Sequence, residues 1–156
     1  MENTQLTKTE MMALFGQGCS VADLAGIDKK HLEALYTLGY QLYQAQNFND
    51  AASIFRALCL YDYSTTKYFM GLGGCEQALG HFKKASDIYS LASVISGLTD
   101  PEPMYYAAIC LLKAGEKDNA ITALESLSIM GDSANEKDML FKNKGADLLK
   151  LISSKE

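Results

Sequence analysis

Two apolar series run side by side through "LYTLGYQLYQ", residues 35–44: Tyr36, Tyr40 and Tyr43 at i, i+4, i+7, and Leu35, Leu38 and Leu42. Both spacings are helical. At about 100° per residue, Leu35, Leu38, Gly39 and Leu42 share one face and the tyrosines centre about 110° away. Glu33, Thr37, Gln41 and Gln44 take the rest. One helix therefore has two apolar faces, and each needs something to meet.

The pattern recurs. Leu38-Gly39 returns 34 residues later as Leu72-Gly73, Ala51 as Ala85, Phe55 as Tyr89 and Phe48 as Phe82. A further copy follows at a step of 35, with Ala107-Ala108, Ala120, Leu124 and Leu127. A small residue, alanine twelve positions on, and a large apolar residue four after that make the tetratricopeptide pattern. Small residues at Gly39, Gly73 and Ala108, facing Ala51, Ala85 and Ala120, let the two helices of a pair approach closely. Phe55, Tyr89 and Leu124 then fill the space between one repeat and the next. The prediction is an all-α chain forming one domain, with three tetratricopeptide helix pairs in a right-handed superhelical array. The pairs are 31–45 with 48–61, 65–79 with 82–96, and 102–114 with 117–130, inside repeats at 31–64, 65–98 and 101–134.

Two flanks complete the array. "NEKDMLFKNKGADLLKLI" sets Met139, Leu140, Leu148, Leu149 and Ile152 among charges, which predicts an amphipathic capping helix within 135–156. At the other end, "TKTEMMALFGQG" predicts a short helix starting near Thr7 or Thr9, and "CSVADLAGI" a second short segment packing through Leu24 and Ile27. This N-terminal helical segment, 1–30, could cap the first repeat or pair with another copy.

Composition narrows the function classes. Lys plus Arg at 14 against Asp plus Glu at 19 gives a net charge of −5 with no basic stretch, so nucleic acid is not an expected partner. The polar start and the lack of 18 consecutive apolar residues predict a cytosolic chain with no direct membrane binding. Cys19, Cys59, Cys75 and Cys110 are widely spaced, without C-x-x-C or a neighbouring histidine, and read as reduced thiols. No metal or cofactor is expected. Pro101 and Pro103 form the strong breaker cluster of the middle of the chain.

Several phrases are more particular than a generic repeat: "GQGCSVADLAGI", "FRALCLYDYSTTKYFMGLGGCEQALGHFKKASDIYSLAS" and "DPEPMYYAAICLLKAGEKDNA". Together they resemble the class II chaperones of bacterial type III secretion systems, the LcrH/SycD-like tetratricopeptide family that holds hydrophobic translocator proteins. The resemblance spans residues 15–130. Its most specific part is Leu58-Cys59, Asp62 and Tyr68-Phe69 around Gly71-Leu72-Gly73. It implies a bacterial cytoplasmic chaperone that binds an extended N-terminal segment of a translocator in a concave groove and keeps it secretion-competent. It also implies a homodimer, formed through the N-terminal segment, and a possible transcriptional regulator as a further partner. Tyr63 and Gly97 stand where many tetratricopeptide repeats end in proline.

In such an array the first helix of every pair lines the concave face. The candidate peptide-binding residues are then Tyr36, Tyr40 and Tyr43 in repeat one, Lys67, Met70, Gly74 and Gln77 in repeat two, and Tyr105, Ile109 and Leu112 in repeat three. An aromatic lining suits an extended peptide. The alternative is that the tyrosines belong to the core beneath the N-terminal segment. Two other functions compete. A generic tetratricopeptide adaptor gripping a C-terminal carboxylate needs lysine, arginine and asparagine on the concave positions, where tyrosines stand instead. An enzyme needs a nucleophile, base or metal set, and none is visible. His31 and His81 occupy unrelated repeat positions and read as surface histidines, "HFKK" as a solvated helix start, and "GLGG" as helix packing, since it lacks a phosphate loop's Lys-Ser/Thr ending.

Overall fold

The computed structural model describes residues 7–154. Residues 1–6 of the predicted N-terminal segment and 155–156 of the predicted cap lie outside that range. Among the described residues the elements are all helices: α1 Lys8–Gly16, α2 Val21–Ala25, α3 Lys29–Gln44, α4 Phe48–Tyr61, α5 Thr66–Ala78, α6 Phe82–Ile95, α7 Pro101–Lys113, α8 Lys117–Ser128 and α9 Glu136–Ser153. Helices α3 to α8 form three stacked pairs, each packed on the next.

Local chemistry sets the helix starts. Thr7 and Ser20 begin α1 and α2 with reciprocal capping boxes to Glu10 and Asp23. Asp28, Asp100 and Asn135 accept backbone N–H bonds at the starts of α3, α7 and α9, and Pro101 supplies a fixed φ at the first position of α7. The turn inside each pair requires a left-handed residue. Gly80 and Gly115 take it at φ 81°, while Gln46 holds the same place at φ 60°, a conformation that a side chain disfavours.

The stacking follows the repeat. A Cβ on Gly39 would meet Ile54 at 3.1 Å, and one on Gly73 would meet the Tyr89 ring at 2.8 Å. Gly71 is tighter still, since a Cβ there would fall 2.5 Å from Phe55. Phe55 thus lies between Gly39 of its own repeat and Gly71 of the next, so Phe55 accounts for Gly71 of "GLGG" and Tyr89 for Gly73. Leu35 and Leu42 pack against the first core cluster as their face predicts, but Leu38 is 43% exposed. It lies at the edge of that face.

The flanks depart from the pattern in detail. In α2 the buried residue is Ala22, joined by Ile27, while Leu24 is half-buried. Helix α1 packs little on its own chain, and Met12 is 64% exposed. Tyr63, at the place of the missing proline, donates its hydroxyl towards the carbonyls of Phe15 and Cys19 at 3.4 Å and tethers this segment. In α9, Phe141 and Gly145 are the buried residues and Leu140 is 50% exposed. Leu148, Leu149 and Ile152 pack on the third-repeat core as predicted. No helix among the described residues is long and apolar enough to cross a membrane.

Candidate functional site

Close packing of the small residues leaves the opposite side of α3, α5 and α7 around a cavity of about 830 Å³. Tyr36, Tyr40 and Tyr43 line it from α3, and Lys67, Met70, Gly71, Gly74 and Gln77 from α5. Phe55 and Tyr89 reach it from the second helices, and Asp100, Glu102, Tyr106 and Lys137 close the far end. The tyrosine stripe therefore faces a groove, but its three members are not equivalent. Tyr40 is 52% exposed, whereas Tyr36 packs edge-on against Phe55 at 5.8 Å and Tyr43 against Phe48 at 5.3 Å. Two of the rings serve the core and the groove together.

The polar groups of the lining are already oriented. The Tyr89 hydroxyl donates to Gln77 Oε1 at 3.0 Å. Lys67 Nζ binds Glu33 at 2.6 Å and lies 4.5 Å above the Tyr36 ring, so its stem and charge shape the near rim. At the far end Lys137 Nζ bridges Glu102 at 2.5 Å and Asp100 at 3.6 Å. Burial raises the phenol pKa of Tyr89 and of Tyr106, so both remain donors through the neutral range. Both cavity lysines are paired with carboxylates.

Seven of the predicted contacts, Tyr36, Tyr40, Tyr43, Lys67, Met70, Gly74 and Gln77, are brought together on this one cavity. The third-repeat set is not. Tyr105 packs against Phe141 with ring centroids 5.6 Å apart, and Leu112 joins the core shared with Leu148, Leu149 and Ile152. Ile109 does not line the cavity either. The reason is α9, which lies against α7 as a first helix of a fourth repeat would and covers that face. Tyr106 takes the place in the groove, stacked on Tyr89 at 5.5 Å. Repeat spacing gave no signal for it, because steps of 35 and 34 relate Tyr106 to Gly71 and Thr37, and Thr37 lies on the polar face.

Behind the groove, Glu76 was not anticipated. Its side chain is 2% exposed and meets Lys84 at 2.7 Å, His81 at 2.8 Å and Arg56 at 3.3 Å. "HFKK" is thus more than a solvated helix start, since His81 and Lys84 hold an internal carboxylate. Burial pushes the Glu76 pKa up, but bonds from Lys84 and His81 and their charges outweigh it, so the carboxyl titrates below its ordinary value. Burial raises Cys59 to about 12 and Cys75 and Cys110 to about 11, which makes these three thiols poor nucleophiles. Among the described residues no group of three or more His, Cys, Asp or Glu could hold a metal ion.

Helix pairs around an aromatic groove without reactive groups define a tetratricopeptide binding scaffold, and residues 104–128 match the tetratricopeptide repeat family. The chain is 34% identical to low calcium response locus protein H of Yersinia pestis, over 78% of this chain and 72% of that protein. It is similar to a chain of a T3SS complex from Aeromonas hydrophila, with a TM-score of 0.86 at 32% identity over 95% and 97% of the two chains. It is also similar to the Yersinia enterocolitica type III secretion chaperone SycD in complex with a peptide of the translocator YopD. There the TM-score is 0.73 at 31% identity, over 83% and 97% of the chains. The chain belongs to the class II type III secretion chaperones, the tetratricopeptide translocator chaperones of the LcrH/SycD family, which are not enzymes.

Proposed function

We propose that this chain holds an extended segment of a hydrophobic translocator in the groove of α3, α5 and α7, in the bacterial cytoplasm, until the client is secreted. The observation that carries this is the cavity of about 830 Å³ walled by Tyr36, Tyr40 and Tyr43, with Tyr40 half-exposed although little in the fold requires it there. A groove lined by aromatic rings from all three repeats suits a chain whose alternate side chains enter it while tyrosine hydroxyls and Gln77 meet the backbone. The complex of SycD with a YopD peptide supports the reading. Homodimerisation through the N-terminal segment belongs to the same proposal. It is supported by the exposure of Met12, the sparse packing of α1, and the existence of a SycD structure in an alternative dimer.

The test is Tyr40→Ala, because Tyr43 also braces Phe48 and its loss would mix stability with binding. Client capture on co-expression should fall about tenfold, corresponding to about 1 to 2 kcal/mol for a ring half-covered by ligand. Helix content and melting should stay unchanged. Full client capture by a folded Tyr40→Ala variant would remove this ring from the site.

A further inference from the structure

Six residues before Gly39, Gly73 and Ala108, the same repeat position holds Glu33, Lys67 and Glu102, and one more step of 35 reaches Lys137 in α9. Charge alternates along this row. The row is closed at its ends, where Glu33 meets Lys67 at 2.6 Å and Glu102 meets Lys137 at 2.5 Å. Among the described residues no ion pair joins Lys67 to Glu102, although both line the groove. The backbone repeats this arrangement: α3 touches α5 and α7 touches α9, but α5 and α7 make no comparable contact. Asp100 adds a second carboxylate at the far end, so two acids there face one ammonium.

The geometry points to Lys67 and Glu102 as a register pair: the client segment in the groove presents an acidic side chain to Lys67 and a basic one to Glu102 and Asp100. This rests on the peptide-binding function proposed above and specifies its ligand. Apolar pockets alone discriminate weakly between registers, because an extended chain that slips by two residues presents the same face again. Two opposite charges at fixed separation favour one register and penalise the others. The existing bonds do not prevent this. Lys67 and Glu33 are 41% and 57% exposed, so their pair is a weak surface one whose ammonium can accept a second carboxylate. Packed helices lie about 8 to 10 Å apart and α5 and α7 lie further, so at about 3.3 Å per residue the two client charges stand about three to five residues apart.

Synthetic peptides with apolar alternate positions test the pair by fluorescence anisotropy on the full chain. Two variable sites, three, four or five residues apart, carry acid and base, two acids, two bases, or two glutamines. The acid-base peptide should bind about fivefold tighter than the glutamine peptide at one spacing, and this advantage should vanish in 0.5 M salt, about a 4 Å screening length. Lys67→Glu should transfer the preference to the two-base peptide. If that variant does not fold, Glu102→Gln should reduce the acid-base advantage and leave the acid's contribution in place. Equal binding of mixed and like-charged peptides, or a preference unchanged in the variants, overturns the register pair while leaving the groove intact. Failure of every peptide, the uncharged one included, overturns the groove reading and the pair with it.

Discussion

Glu76 precedes Gln77 of the groove by one residue, yet its carboxylate is taken up by Arg56, His81 and Lys84 at the seam between the first two repeats. A glutamate 2% exposed is tolerated only because Arg56, Lys84 and the His81 ring surround it, each itself about half exposed. Its folded pKa lies below the ordinary 4.5. The carboxylate's contribution is therefore complete above the unfolded value and is lost as pH falls through the folded one. Glu76→Gln keeps the shape and removes the charge, and should lower stability at pH 7 by about 1 to 3 kcal/mol. Urea unfolding at pH 7, 5 and 3.5 checks this. The gap between wild type and variant should narrow towards the acid end, and a constant gap would assign the contribution to packing. No repeat spacing marks Glu76, because its partners come from α4, the turn after α5, and α6.

At the scale of elements, α9 decides where the groove ends. It packs as the first helix of a fourth repeat would: Phe141, one step of 35 beyond Tyr106, packs on Tyr106 and Tyr105 at 5.9 and 5.6 Å. Gly145 admits Leu127, whose Cδ2 would stand 2.8 Å from an added Cβ. Phe141→Ala should cost about 3 kcal/mol in urea unfolding, while Leu140→Ala, at a half-exposed neighbouring site, should change stability by less than about 0.5 kcal/mol. The reverse order would mean that α9 docks by another face. The amphipathic pattern located this helix correctly, yet its charged and apolar residues alternate so closely that the inward face could not be chosen from spacing. For the same reason Tyr105, Ile109 and Leu112 looked equivalent to the residues of the first two repeats. They share the repeat position, but α9 occupies the space in front of Tyr105 and packs with Leu112.

For the whole molecule, the segment containing α1 is the part that the array leaves almost unpacked, joined mainly through Tyr63 and the neighbouring α2. Removing residues 1–17 spares the Ser20 cap and the burial of Ala22 and Ile27. That truncation should shift the protein to monomers in light scattering while leaving peptide binding in the groove unchanged. A truncated protein that stays dimeric would move the dimer contact to another face. The test also separates two roles the segment could have, since loss of folding on truncation would make it a cap of the first repeat.

The sequence by itself determined the helix pairs and their small-to-large packing, because each depends on periodicity that a repeat prints several times along the chain, and the chaperone resemblance, which depends on particular phrases within the repeats. Gly39, Gly73, Phe55 and Tyr89 were legible for that reason, and so was the tyrosine stripe. Only the tertiary structure decided that Gly71 receives Phe55, that Tyr106 rather than Tyr105 lines the groove, and that Glu76 gathers Arg56, His81 and Lys84. Those outcomes depend on which surface a neighbouring helix covers and on side chains from separate elements meeting at one point. A one-dimensional period specifies the face of a helix, whereas the distances among several helices settle what that face meets.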